Sequence, residues 1–553
     1  MRWFMLALLS LTMILVYAFD AAAKGWGQSD PSREPRDQSI FAPHVPVLMG
    51  KHKVFGQSDP SLWADPLRFS SAAGHTLSSS SALDMDASHH NFATSANLLP
   101  GPPTERPPLV CFEVNRPPRI LSSKKLEAVT IQLLSRSFAN SYGKPSILPY
   151  TLDLLPASFR DPAQWVGLTL IQNGTARGLQ FDRLGSIYMG NTVSGQGVEI
   201  WRTDNPEPVN TTGGIVWSAK KEVSKYFDLF RRAGILLFDY PNIVNKQYTT
   251  PLNITLSLTV TQQKTDYTPN PENRSAGDAS SPADPLPLID ATPVIFPISK
   301  QNSSADSKWA VNSDKASAKI RVPTAATAAV IEVYASGTAD DEFWYTNVPD
   351  IVFEKIVNAS RFFMPHGPYR ELQVRIDTHL AGITHPSPVT FTGGLNPLLW
   401  RPQMSFGAMD QPTYLFDVTP FLGYLRDGRH HEFSIHVVSA EKNQSIPNSW
   451  FVSGNLQVAL GKNDAGHGIA AIAATGPPSI VEEGRFEDDI RYSGTSKDPE
   501  EITATLMTSQ PRKVSIQGFL PLPNGRRQRI TVQHTINFSN KQYLNTKSQA
   551  NVS

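Results

Sequence analysis

Four short segments of this chain concentrate carboxylates and aromatic rings. The first is Gln180-Phe181-Asp182-Arg183-Leu184, followed by Gly197-Val198-Glu199-Ile200-Trp201-Arg202. The second is Asp340-Asp341-Glu342-Phe343-Trp344-Tyr345. The third runs from Phe391 through Thr392, Gly393 and Gly394 to Trp400, Arg401 and Pro402, and the fourth joins Asp410-Gln411-Pro412-Thr413-Tyr414 to Asp417. Carboxylates in pairs can divide the work of proton removal and proton delivery when their surroundings push their pKa values apart.

Other chemistries lack their residues. There is no Gly-x-Ser-x-Gly elbow to seat a hydrolase serine, no His-Glu-x-x-His helix and no glycine loop for phosphate. His89-His90 and His430-His431 are adjacent pairs, and strand neighbours point to opposite faces, so neither pair chelates readily. No metal and no cofactor is expected. Cys111 is the only cysteine, which excludes an internal disulfide; it sits in an apolar, strand-like run, Leu109-Val110-Cys111-Phe112, and reads as a buried small hydrophobe rather than a nucleophile.

The elements that must carry these segments are strands. Val129, Ile131 and Leu133 alternate with polar neighbours, as do Ile254, Leu256, Leu258 and Val260, the period of a half-buried strand. Further strands are expected within Ala329–Tyr334, Leu372–Ile376, Phe433–Val437, Leu456–Leu460, Val514–Leu520 and Ile530–Phe538. One helix is expected over Lys220–Arg231, where Val223, Phe227 and Phe230 fall on one face. Abundant proline, 45 residues in 553, favours strands and long connections. The expected fold is all-β: two jelly-roll-like antiparallel β-sandwiches with a C-terminal β extension. The boundaries are a signal peptide over 1–23, a low-complexity leader over 24–108, the first sandwich over 109–263, a linker over 264–290, the second sandwich over 291–464 and the extension over 465–553. Gly27–Ser32 returns within the leader as Gly56–Ser61.

Arg2, the apolar run Trp3–Val16 and Ala21-Ala22-Ala23 have the order of a secretory signal, and the run is short for a membrane span. Nine Asn-x-Ser/Thr sites, at Asn173, Asn210, Asn253, Asn273, Asn302, Asn358, Asn443, Asn537 and Asn551, accord with a secreted, cell-wall or vacuolar protein. The formal net charge of +1 gives no field for nucleic acid or an anionic membrane, and no stable span is expected once the signal is removed.

The acidic and aromatic blocks, together with Ser141-Tyr142-Gly143-Lys144-Pro145, Gly214-Ile215-Val216-Trp217-Ser218 and Ser224-Lys225-Tyr226, resemble those of the PNGase A family of plant and fungal glycoamidases. The resemblance runs from about Leu109 to Gly461, with a fainter tail at Ile536–Asn540. It departs from the family in lacking the cysteines of plant relatives and in having Lys221-Glu222 where Lys-Asp is usual. It implies hydrolysis of the amide between asparagine and the first GlcNAc of an N-linked glycan, giving aspartate and a glycosylamine, with N-glycopeptides and N-glycoproteins as partners.

That chemistry asks for a base, an oxyanion donor and a proton for the departing nitrogen. Asp182 is the candidate base, with an ion pair to Arg183 or Arg202 as its structural alternative. Glu199 is the candidate second acid. Glu342 and Asp341 are candidates to steer the proton or bind sugar hydroxyls. Trp344 and Trp400 are candidates to cover a sugar face, Arg401 to donate to a carbonyl oxygen, and Trp201 and Arg202 to contact substrate. Gly393-Gly394 and Asn396-Pro397 read as a turn that aims Trp400 and Arg401. Two other functions stay open: a non-catalytic glycan-binding protein of the same fold, and a glycosidase, which also uses two carboxylates.

Overall fold

The computed structural model describes residues 55–56, 107–114, 126–190, 197–208, 213–264, 293–300, 308–312, 315–356, 363–394, 400–447, 450–461, 475–483, 503–522, 525–545 and 551–552. The signal sequence, most of the leader and nearly all of the linker lie outside them, as do Asn396 and Pro397. All described residues belong to one compact unit, Ala42–Ser553. Strands dominate it. Among the described residues no helix is long and apolar enough to cross a membrane.

Two sheets line the first core. A six-stranded sheet has the order Gln403–Met404, Leu109–Glu113, Ile215–Glu222, Trp165–Ala176, Leu252–Gln263, Leu126–Phe138. A four-stranded sheet has the order Ser146–Tyr150, Gly234–Asp239, Leu184–Gly190, Val198–Asp204. The alternation expected around Ile254 is present: Leu252, Ile254, Leu256, Leu258 and Val260 all point into this core with Leu168, Leu170, Ile187, Trp201 and Phe238. Pairing is mostly antiparallel, but Leu109–Glu113 runs parallel to both Ile215–Glu222 and Gln403–Met404. This corrects the purely antiparallel expectation. A strand from late in the chain thereby closes the edge of an N-terminal sheet.

The second core lies between a five-stranded sheet, ordered Val294–Ile298, Trp450–Leu460, Ala326–Gly337, Tyr414–Asp417 with Trp309–Val311 beside Trp450–Leu460, and a four-stranded one. The latter is ordered Ser317–Ile320, His431–Val438, Glu371–Ile376, His379–Thr384. The fifth sheet is built on a long hairpin, Thr503–Pro521 with Arg527–Asn545, flanked by Ser479–Glu483, Phe55–Gly56 and Asn551–Val552. Its Val514, Ile516, Leu520, Ile536 and Phe538 join the second core. The C-terminal extension is therefore packed against the second sheet pair.

The helix expected over Lys220–Arg231 is only a 3-10 turn, Ser224–Tyr226, running into one α-turn, Phe227–Phe230. Lys220–Glu222 instead finish a strand, pairing with Ile171, Leu170 and Thr169. Ladder hydrogen bonds to a long neighbour outweigh the weak helical preference of three residues. The sequon asparagines within the described accessible residues, Asn173, Asn253, Asn443 and Asn537, are all exposed.

Candidate active site

The seam between the first and second sheet pairs is polar, and the acidic blocks meet along it. Val198–Asp204 is the edge strand of the four-stranded first sheet and delivers two groups of acids to different depths.

Deep in the seam, Arg202 grips Glu199 with two hydrogen bonds, Nε to Oε1 at 2.8 Å and Nη2 to Oε2 at 2.7 Å. Tyr188 and Ser453 also donate to Glu199. Arg202 reaches across to Ser336 Oγ and the Phe451 carbonyl, at 2.9 and 2.7 Å. Burial works to raise the Glu199 carboxyl, but the Arg202 charge and its hydrogen bonds prevail and hold it below the usual carboxylate range. Trp201 is buried and donates its indole N–H to the Met409 carbonyl at 3.1 Å. In the second block, Asp341 accepts from Arg370, Trp450 and Asn347, and Trp344 is packed among Tyr345, His385 and Trp450. Glu199, Asp341, Trp344, Trp201 and Arg202, expected at the substrate, are thus held in buried networks, each no more than 2% exposed.

At the mouth of the seam the arrangement differs. Asp182, on the loop between Trp165–Ala176 and Leu184–Gly190, and Glu342, at the end of a short turn in the second sheet pair, are both half-buried. Arg401 is half-buried too, and its Nη2 donates to Glu207 Oε2 at 2.8 Å. Thr392 ties the loops together: its N–H donates to Asp204 Oδ2 at 2.9 Å, and its hydroxyl lies 3.3 Å from Asp182 Oδ2 and 3.0 Å from the Asn205 carbonyl. Arg183, the alternative partner of Asp182, donates to Gln180 and Tyr142.

The electrostatics follow from this crowding. Burial, then the charges of Asp182 and Glu207, push the Glu342 carboxyl well above its ordinary value. Asp204 is fully buried, and burial followed by the Asp182 charge pushes it up as well, with Glu342 adding to the effect. Its Oδ1 has no hydrogen-bond partner. Burial also raises Glu207, while Arg401 opposes that. A site of this kind holds some acids neutral at a pH where an ordinary carboxyl is ionised.

Trp400 lies against Gly394, where a Cβ would come within 2.8 Å of the indole nitrogen, and Gly394 has φ +50. Only glycine meets both demands there. The ring stands edge-on to the exposed Phe406, with centroids 5.5 Å apart. Burial pushes the Cys111 thiol up to about 11, consistent with an inert core residue. Among the described residues no group of three ligating side chains could hold a metal ion.

Asp182, Glu342, Trp400 and Arg401 were legible as site candidates; Asp204 and Glu207 were not singled out. Their signal was the acidic run Asp204-Asn205-Pro206-Glu207 directly after the Trp201-Arg202 block, where Asn-Pro ends a strand.

Comparison with known proteins now places the chain. Residues 117–474 match the family described as peptide N-acetyl-beta-D-glucosaminyl asparaginase amidase A, and the chain belongs to that family. A relative from Prunus dulcis, a peptide-N4-(N-acetyl-beta-glucosaminyl)asparagine amidase A, is 34% identical over 370 residues, 66% of this chain. The match spans 59% of that relative's length. Among solved structures, PNGase F of Flavobacterium meningosepticum, a glycosylasparaginase, aligns with a TM-score of 0.39 and 13% identity over 61% of this chain and 97% of its own. PNGF-II aligns with a TM-score of 0.36 and 12% identity over 60% of this chain and 66% of its own.

Proposed function

We propose that this protein hydrolyses the amide bond between asparagine and the first GlcNAc of N-linked glycans on glycopeptides and glycoproteins. The observation that carries the reading is the meeting of two half-buried carboxyls, Asp182 and Glu342, from different sheet pairs beside an arginine held by Glu207. In this assignment Asp182 takes a proton from water as the oxygen attacks the amide carbon. Arg401 donates to the oxygen that becomes negative. Glu342, kept protonated by its surroundings, gives its proton to the departing nitrogen. The C–N bond breaks, one water is consumed, and the products are an aspartyl peptide and a glycosylamine. Trp400 covers the apolar face of the first sugar. Glu199, Asp341, Trp344, Trp201 and Arg202 hold the two halves in register.

Family membership supports this reading, and so does the setting of Cys111, which favours water over a thiol as nucleophile. We read each pair of sheets as a jelly-roll-like sandwich. The N-terminal run and the exposed sequons support passage through the secretory route.

The test is mass spectrometry of a defined N-glycopeptide incubated with the purified protein in heavy-oxygen water. Conversion of asparagine to labelled aspartate, with release of the whole glycan, is the expected result. A GlcNAc left on asparagine identifies a glycosidase instead. An unchanged glycopeptide from acidic to neutral pH, with retained glycan binding, identifies a lectin.

A further inference from the structure

The family match ends at residue 474, and the hairpin Thr503–Pro521/Arg527–Asn545 lies beyond it. That hairpin is nevertheless built onto the segment that carries Glu342. Asn540 donates its side-chain N–H to the Tyr345 carbonyl at 3.0 Å. Gln542 lies 3.4 Å from the same oxygen and donates to the Asn347 carbonyl at 3.0 Å. The Phe538 ring packs on His385 and Tyr369, with centroids 5.0 and 5.3 Å away, and His385 in turn stands edge-on to Trp344 at 5.0 Å. Leu544 and Leu506 complete a small apolar cluster with Val348, Val352 and Phe363. Residues 538, 540, 542 and 544 are alternate positions of one strand, so a single face of the hairpin serves this segment.

We propose that the C-terminal hairpin is a positioning element for the catalytic acid: Asn540 and Gln542 fix the turn Trp344–Thr346, and through it the direction from which Glu342 enters the cleft. The inference rests on the assignment of Glu342 as proton donor. The Thr346 hydroxyl donates to the Phe343 carbonyl at 2.7 Å, and Glu342 N–H to the Ala339 carbonyl at 3.0 Å. Thr346 N–H donates to the Phe343 carbonyl and Asn347 N–H to the Trp344 carbonyl, while the carbonyls of Tyr345 and Asn347 face the two hairpin amides. Asn540 and Gln542 are 4% and 1% exposed, so water does not readily replace them. Removing the amides leaves the buried Asn347 carbonyl and the part-buried Tyr345 carbonyl without these donors, which drives the turn to reorient toward others. A small displacement of a reacting group is enough to slow a reaction severely.

The experiment measures kcat, KM and the pH–rate profile of the full-length protein on a defined N-glycopeptide. The variants are Asn540→Ala, Gln542→Ala and their combination. Gln517→Ala, at an exposed pair on the same hairpin, is the control and keeps the parent values. The double variant is expected to lose roughly ten- to a hundredfold in kcat with KM little changed. The alkaline limb of its profile is expected to move to lower pH, because a looser turn gives Glu342 back to water. A purely structural hairpin would lower the melting temperature and leave that limb in place. Unchanged kcat and profile in the double variant, with Glu342→Gln inactive, overturns the inference alone. An active Glu342→Gln overturns the assignment beneath it. If the double variant does not fold, the two single variants decide by the same readouts.

Discussion

Two groups of acids lie along one seam and behave in opposite ways. Glu199 and Glu332, in its depth, are fully buried, yet each is held below the ordinary carboxylate range, because Arg202 and Lys225 respectively overcome the cost of burial. Glu342, at its mouth, and Asp204, buried beneath it, face other acids and are pushed well above that range. Burial acts in the same direction on all four. Among these four, the sign of the neighbouring charge separates a fixed anion that ties two sheets together from a proton store that can take part in chemistry.

The largest effect that tests this contrast is on rate. Asp182→Asn and Glu342→Gln are each expected to lower kcat by about 10²–10⁴-fold without loss of fold, as read by steady-state assay and calorimetry. Equal losses from Glu199→Gln in a still-folded protein would dissolve the distinction. That seam variant is expected instead to cost about 3–5 kcal/mol of stability, because it leaves Arg202 buried without its partner. Denaturant unfolding measures this, and the pair Glu199→Met with Arg202→Met should recover much of it.

Stability against pH separates the two groups by sign. Lowered carboxyls such as Glu199 contribute stability that is present above the unfolded carboxylate value, about 4.3, and lost as pH falls through the lower folded value. Raised carboxyls contribute stability that is present below the unfolded value and lost as pH rises through the folded one. Asp204→Asn keeps the neutral form permanently. It is therefore expected to raise stability at neutral and alkaline pH by about 0.5–2 kcal/mol and to have little effect near pH 3, by thermal melts across that range.

An intermediate case sharpens the comparison. Glu113 accepts from the N–H groups of Gly407 and Met409, the latter at 2.8 Å, so backbone dipoles stand where a cation would. They do not suffice: burial, then the Asp410 charge, raises it to about 8. Glu113→Gln should remove a loss of stability that the parent accrues as pH rises from the unfolded carboxylate value, about 4.3, to about 8, and that levels off above it, as read by thermal melts across that range.

The sequence disclosed strands better than it disclosed roles. The period of two around Ile254 needs only one buried face, which is a local property. Sorting acids needs to know which charge comes near, and that is settled by contacts some two hundred residues apart, such as Arg401 with Glu207 and Thr392 with Asp204. Even the Glu199–Arg202 pair was hidden. Three residues apart on a regular strand they would point to opposite faces. The register shifts between Ile187, paired with Trp201, and Tyr188, paired with Glu199, so that Ile200 is the extra residue of a bulge. The bulge brings Glu199 and Arg202 to one side, and nothing in the spacing announces it. The C-terminal tail, faint as a resemblance, proved to be mounted on the Glu342 segment.

The seam also has a thermal consequence. Hydration of ions becomes less favourable as temperature rises, so the penalty for burying Arg202, Glu199 and Glu332 shrinks on warming, while apolar burial gains little more per unit area. Warming therefore makes the ionic joint between the two sheet pairs cheaper to keep, relative to the apolar layers on either side of it.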